Sequence, residues 1–86
     1  MLFEITYRTS PDAQAGEARF KRTGGLPPAG VKILGRWQSL DASSGRTLCE
    51  TDDPAALSQW CREWAEVITL TARPLADEQA VSEVQA

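Results

Sequence analysis

Residues 31–64 read VKILGRWQSLDASSGRTLCETDDPAALSQWCREW, and this segment is predicted to hold two strands and a helix in close succession. Apolar and polar side chains alternate from residue 31 to residue 40, which is the period of a half-buried strand. Gly35 interrupts the alternation and indicates a bulge or a close approach of the backbone. The turn-forming residues 41–45 separate this strand from a second one at 46–51, so the two strands are expected to form a hairpin.

The length of the hairpin loop determines which side chains share a face of the sheet. With residues 41–45 as the loop, Arg36 is expected opposite Glu50, and Trp37 is expected opposite Cys49. This register predicts that Arg36 lies on the polar side of the hairpin with Glu50, whereas Trp37 lies on the apolar side.

The helix that follows has clear start signals and a continuous apolar stripe. Asp53 is the expected N-cap, and Pro54 is the expected first helical residue. Apolar residues then recur with the i, i+3, i+4, i+7 spacing of a helix that faces a core: Leu57, Trp60, Cys61 and Trp64. Such a stripe is typical of packing against a sheet rather than of a cofactor site.

The flanking segments add two strands, one helix and a tail. Residues 2–8 alternate as a strand, and residues 10–12, Ser-Pro-Asp, predict the start of a helix that two glycines at 24–25 end. Residues 66–75 are β-branched and alternating, which predicts a last strand. The acidic segment 76–86 lacks a sustained apolar stripe and is predicted to be a frayed tail.

The order β-α-β-β-α-β within residues 1–75 predicts a ferredoxin-like α+β domain, with one four-stranded antiparallel sheet and both helices on one face. The face of the sheet away from the helices is called the open face below. It is expected to carry Leu2, Leu34 and Leu48, and each exposed leucine forgoes about 1.5–3 kcal/mol of burial. We therefore expect a second copy of the chain to cover the open face and to form a dimeric α+β barrel. A monomer with a solvated open face is the alternative.

Three segments resemble a family of uncharacterised bacterial proteins of similar length: MLFEITYR at 1–8, GVKILGRW at 30–37, and ETDDPAAL at 50–57 with Trp60 and Trp64 after it. The family is known as a domain of unknown function. Its layout is similar to that of the dimeric α+β barrel group, which includes small monooxygenases, muconolactone-isomerase-like proteins and stress-response barrels. The resemblance covers residues 1–75 and implies a ferredoxin-like homodimer, but it carries over no catalytic residue.

Composition and charge disfavour several classes of function. Of the 86 residues, 42% are apolar and 24% are charged, which is typical of one globular domain. Residues 1–75 contain nine acidic and nine basic residues, so the formal charge of −3 arises from the tail. Nucleic acid is therefore not an expected partner, because its binding needs a basic surface, and no aromatic residue is expected on the open face. Without a long apolar run or a signal peptide, we expect a cytoplasmic protein with no membrane partner.

The residue types also limit the chemistry of any site. The chain contains no histidine, which excludes histidine-based zinc sites and the Ser-His and Cys-His nucleophile pairs. No metal site and no cofactor are expected. Cys49 and Cys61 lie beside apolar residues, without a patterned basic neighbour, and are expected to be buried free thiols.

A candidate ligand cleft is predicted on the open face from four charged residues: Arg8, Arg36, Glu50 and Arg73. Guanidinium groups around a sheltered cleft between two subunits would bind a carboxylate or phosphate through paired hydrogen bonds. The sequence therefore favours a non-catalytic homodimer that binds a small anionic ligand or a protein partner. An ordinary cross-strand ion pair between Arg36 and Glu50 explains the same pattern without a ligand.

The alternative function is a cofactor-independent oxygenase or isomerase that acts on a small organic substrate in the cleft. Tyr7, Trp37 and Arg36 would pack against the substrate and stabilise a developing oxyanion. Without histidine, the base would be Glu4 or Glu50. Tyr7 and Trp37 are expected on the helix side of the sheet, where they would pack in the core, so the sequence leans away from catalysis and names no substrate.

Overall fold

The structure, a computed structural model, describes residues 1–9 and 14–78. Its four strands form one antiparallel sheet in the order β2-β3-β1-β4, and both helices lie on one face. This is the ferredoxin-like fold that the sequence predicts. Neither helix is long and apolar enough to cross a membrane. The elements are β1 (Leu2–Thr9), α1 (Gln14–Thr23), β2 (Val31–Gln38), β3 (Ser44–Thr51), α2 (Pro54–Trp64) and β4 (Ile68–Leu75).

Helix α2 begins and packs as predicted. The side chain of Asp53 accepts a hydrogen bond from the backbone N–H of Ala56 at 3.2 Å, and Pro54 occupies the first turn. This cap satisfies one of the N–H groups that a helix start leaves unpaired. The apolar stripe of α2 then packs against β1, β2 and β3 to form the buried core, which comprises Phe3, Ile5, Val31, Cys49, Leu57 and Trp60.

Helix α1 is attached to the sheet in a different way. It ends at Gly24 and Gly25, as predicted, and both glycines adopt a left-handed backbone with φ of 69° and 62°. Its predicted start at residues 10–12 lies outside the described residues. No side chain of α1 is buried, whereas α2 buries Leu57 and Trp60. Apolar burial therefore holds α2 on the sheet but contributes little to holding α1.

A bulge in β2 confirms the irregularity that Gly35 predicts. Ile33 pairs with Cys49, and Gly35 pairs with Leu48, which is the neighbour of Cys49 in the antiparallel strand β3. Leu34 is therefore an extra residue without its own partner across the hairpin. One extra residue shifts the alternation of a strand by one position, so the side chains that follow exchange faces.

The observed register of the hairpin corrects two predicted pairs. Arg36 lies opposite Thr47, on the helix side of the sheet, and Trp37 turns to the open face. The predicted pairs Arg36–Glu50 and Trp37–Cys49 are therefore wrong. The turn lies two residues earlier than predicted, which changes the register of the hairpin, and the bulge moves Arg36 to the helix side. An aromatic side chain thus lies on the open face after all, on an edge strand of the sheet.

The boundaries of the other elements differ only slightly from the prediction. The turn between β2 and β3 occupies residues 39–43, two residues before the predicted loop at 41–45. Strand β4 begins at Ile68, two residues after the predicted start. Residues 76–78 of the predicted tail are exposed, and the rest of the tail lies outside the described residues.

Candidate functional site

A cavity of about 300 Å³ lies between the two helices and the sheet. Residues of all four strands form its floor, and residues of α1 and α2 form its walls. The space exists because α2 packs on the sheet while α1 buries no side chain. The cavity is therefore on the helix side of the sheet, away from the open face where the sequence predicts a ligand cleft.

Most of the cavity wall is apolar, and much of it is aromatic. The ring of Tyr7 lies against the backbone of Gly45 on β3, so closely that a Cβ at residue 45 would overlap it. Gly45 therefore leaves room for the ring on the cavity floor. The large apolar side chains that line the cavity are Ile5, Tyr7, Phe20, Trp60, Trp64, Ile68 and Leu70.

Arg36 supplies a half-buried positive charge to this wall. Its Nη2 donates a hydrogen bond to the carbonyl oxygen of Gly25 at 2.6 Å, and its guanidinium carbon lies 5.7 Å from the ring centre of Phe20. The bulge in β2 places it here, since uninterrupted alternation would have put it on the open face. A Cβ at residue 25 would lie 2.8 Å from Arg36 and 2.7 Å from Phe20, so only glycine permits this close approach.

The electrostatic character of the cavity comes mainly from this guanidinium. Among the cavity-lining residues that the structure describes, the other charged side chains are Glu17 and Lys21 on α1, and both are exposed at the rim. Charges in water are strongly screened, whereas a charge in less polar surroundings interacts more strongly with a counter-charge. Arg36 is therefore the charge that an occupant of the cavity would meet.

The two cysteines are free thiols, as predicted. One lines the cavity and the other lies in the buried core. Cys61 lines the cavity, and Cys49 is fully buried in the core. Burial raises the pKa of both thiols above 9.0, and the neighbouring Cys49 raises the pKa of Cys61 further. Both groups are protonated at neutral pH, so they are weak nucleophiles.

The structure does not bring the four predicted ligand residues together. Arg8, Glu50 and Arg73 lie on the open face, as predicted, but Arg36 lies on the opposite side of the sheet. Arg8 is paired with residue 44, and Glu50 is six residues farther along β3, which is a separation of about 20 Å. The Nε atom of Arg73 lies 3.3 Å from the Glu4 carboxylate. The four residues therefore do not form one site within a single chain.

The residues of the predicted oxygenase or isomerase are also divided between the two faces. Tyr7 and Arg36 line the cavity, whereas Trp37, Glu4 and Glu50 lie on the open face. Neither predicted base is therefore close to the cavity. Within residues 1–9 and 14–78, no three His, Cys, Asp or Glu side chains are grouped to hold a metal ion.

The sequence did not predict the cavity, although Gly35 was a signal for the position of its charged residue, Arg36. Phe20 and Thr47 line the cavity and were not predicted as site residues, and Trp60 and Trp64 were assigned to the core alone. Shifting the alternation by one residue after Gly35 would have placed the residue that follows it on the helix side. The cavity itself depends on how closely α1 packs, and no local pattern of residues reports that.

The comparisons with known proteins place the chain in a family. No curated protein matches the sequence. Among solved structures, Rv0793 from Mycobacterium tuberculosis is similar, with 14% identity and a TM-score of 0.49 over 90% of this chain and 95% of that chain. A family model described as a domain of unknown function, DUF3303, matches residues 1–86, and the chain therefore belongs to the DUF3303 family.

Proposed function

We propose that this protein binds a small, largely apolar molecule with an acidic group in the cavity between the helices and the sheet. One observation carries the proposal: the half-buried guanidinium of Arg36 lies in a wall that is otherwise mostly apolar and aromatic. Small-molecule sites commonly combine an apolar lining with a few polar groups that orient the ligand. The ligand is anionic, as the sequence favours, but its proposed site is the cavity on the helix side of the sheet and not the open face.

The guanidinium of Arg36 favours an acidic ligand. It has five N–H donors, and Gly25 occupies one of its nitrogens. A guanidinium can form paired hydrogen bonds to a carboxylate or sulfonate. Hydrogen bonds to a charged group contribute about 1.5–3 kcal/mol, which corresponds to roughly a 10- to 150-fold gain in affinity over an uncharged analogue.

The size and lining of the cavity favour a ring system of modest size. Its volume of about 300 Å³ is near the lower limit of ordinary ligand pockets. Tyr7, Trp60 and Trp64 present aromatic surface, against which a planar ring gains dispersion and stacking energy. A ligand with a hydrophobic body and one acidic end would therefore match both parts of the wall.

Two fluorescent compounds with the same ring system test this function. They are 1-anilinonaphthalene-8-sulfonate, which carries an acid, and N-phenyl-1-naphthylamine, which lacks it. We expect the sulfonate to bind the natural protein more tightly, with energy transfer from the cavity tryptophans Trp60 and Trp64. Arg36→Gln should weaken binding of the sulfonate at least tenfold and leave binding of the amine nearly unchanged.

The matched control is Arg73→Gln, which removes a guanidinium from the open face. It should leave both affinities unchanged. Retained binding of the neutral amine shows that the Arg36→Gln chain still folds around its cavity. Equal loss of sulfonate binding in Arg36→Gln and Arg73→Gln would contradict the proposed site.

The open face is also proposed to bind a second copy of the chain. Its exposed apolar side chains support this proposal: Leu34 is 45% exposed, Trp37 is 57% exposed and Leu75 is 37% exposed. Four strands of eight residues make a flat footprint of about 26 by 19 Å, which is roughly 500 Å² per copy. Two such faces give a total of about 1,000 Å², which is the lower limit for a biological interface.

We also propose a cytoplasmic location for the protein. The support for it comes from Cys49 and Cys61, which are both free thiols. Thiols remain reduced in the cytoplasm, whereas oxidising compartments favour disulfides.

A further inference from the structure

The attachment of α1 to the rest of the molecule depends on polar contacts. The helix buries no side chain, and its one large apolar residue, Phe20, is 41% exposed. Gly16 is half-buried, and a Cβ there would make ordinary van der Waals contact with Ile68 of β4 at 3.5 Å. Apolar burial therefore holds α1 less strongly than it holds α2.

Two arginines attach α1 to the rest of the fold. At its C-terminal end, Arg36 of β2 donates to the carbonyl of Gly25 and lies over the ring of Phe20. Nearer its middle, Arg19 donates to the backbone carbonyl of Glu63 and lies 2.9 Å from the Glu66 carboxylate. Both attachments are polar, so a competing anion can weaken them without exposing a core.

The attachment at Gly25 uses the same group that the proposed ligand would bind. Arg36 lines the cavity and holds the end of α1 with the same guanidinium. An acid that pairs with this group offers an opposite charge and two parallel hydrogen bonds, whereas the Gly25 carbonyl is neutral and accepts one. The residues that join this carbonyl to α1 are two consecutive glycines, Gly24 and Gly25, whose backbone accommodates many conformations.

We propose that α1 is a lid over the cavity and that Arg36 is its latch. The lid opens to admit the ligand, and the acidic group of the ligand then takes the guanidinium from Gly25. Occupancy of the cavity is thereby coupled to the position of α1 on the outer surface. This inference rests on the proposed function, because the ligand that moves the latch is the acid that binds in the cavity.

A reversible covalent link between lid and sheet tests the proposal. A Cβ at residue 16 would lie 3.5 Å from the Cγ2 of Ile68, so the double variant Gly16→Cys, Ile68→Cys places two thiols side by side for oxidation to a disulfide. The variant is made with Cys61→Ala, so that the cavity thiol does not compete. The measurement is the association rate of 1-anilinonaphthalene-8-sulfonate by stopped flow, and the reduced form of the same chain is the control.

We expect oxidation to slow association at least tenfold and reduction to restore the rate. Equal rates in the oxidised and reduced forms would overturn the lid and leave the ligand site intact. Failure of the natural protein to bind the sulfonate would instead overturn the proposed function, so the two failures are distinguishable.

Hydrogen exchange provides a second readout that does not need the disulfide. Arg36→Gln should speed exchange of the α1 amides about tenfold, because the latch is removed. Arg46→Gln, which removes a guanidinium from the open face, should not change their exchange. The sulfonate should speed exchange of α1 in the natural protein, and the neutral amine should not. Unchanged exchange in Arg36→Gln, or slower exchange of α1 with the sulfonate, would contradict the latch.

Discussion

The indole ring of Trp37 lies over Gly35 on the open face, so closely that a Cβ at residue 35 would overlap it. The φ of Gly35 lies outside the left-handed range, so contact with the ring, rather than backbone conformation, requires glycine there. The bulge in β2 turns both residues to the open face and turns Arg36 to the cavity.

Gly35→Ala should therefore destabilise the protein through the indole ring. We expect a loss of about 0.5–1.5 kcal/mol in the free energy of unfolding, because the exposed ring must leave its preferred position. The measurement is chemical denaturation. In a Trp37→Ala background the added methyl group meets no ring, so Gly35→Ala should cost only a small fraction of what it costs in the natural protein. The same cost in both backgrounds would show that the ring is not the cause.

The fold could be predicted from the sequence because its signals are local. Alternation in residues 2–8, the Asp53-Pro54 helix start and the apolar stripe of α2 each depend on neighbouring residues. The side of the sheet on which Arg36 lies could not be read by counting alternate residues, because the bulge adds one residue to the count. The cavity depends on the loose packing of α1, which is a tertiary property.

Trp37 also tests the proposed dimer. Trp37→Glu replaces a large apolar side chain of the open face with a charge, and we expect the Kd of the dimer to rise about 30-fold. The measurement is light scattering across a range of protein concentration. Leu40→Glu is the matched control, because Leu40 is fully exposed in the turn at 39–43 and lies outside the sheet. A natural protein that is monomeric at micromolar concentration would contradict the dimer.

The turn between β2 and β3 should make stability depend on acid pH. Hydrogen bonds from the side chain of Ser39, and then from the side chain and backbone of Ser43, lower the pKa of Asp41 from 3.8 to about 2. A lowered pKa means that the ionised carboxylate stabilises the folded state above pH 3.8 and that this contribution is lost as the pH falls towards 2.

Asp41→Asn removes this titration. We expect the natural protein to have the higher melting temperature above pH 4 and the difference to shrink steadily towards pH 2. The measurement is thermal denaturation at a series of pH values. A difference that stays constant over this range would show that the carboxylate of Asp41 does not supply the stabilisation.

The rate of thiol labelling measures how easily a reagent reaches the cavity. Because burial raises the pKa of both cysteines, native protein at neutral pH should react slowly with N-ethylmaleimide, and Cys61 should react before the fully buried Cys49. Arg36→Gln should speed labelling of Cys61, since it removes the contact with Gly25, and Arg46→Gln should not. Mass spectrometry of the labelled peptides gives both rates. Labelling of Cys49 before Cys61 would contradict the described burial.

The position of a bound aromatic acid tests the central proposal most directly. In crystals grown with 4-bromobenzoate, anomalous scattering locates the bromine, and the electron density locates the carboxylate. We expect the ring between α1, α2 and the sheet, with the carboxylate within hydrogen-bond distance of Arg36. Bromobenzoate bound only on the open face, beside Trp37 or Arg73, would contradict the proposed site.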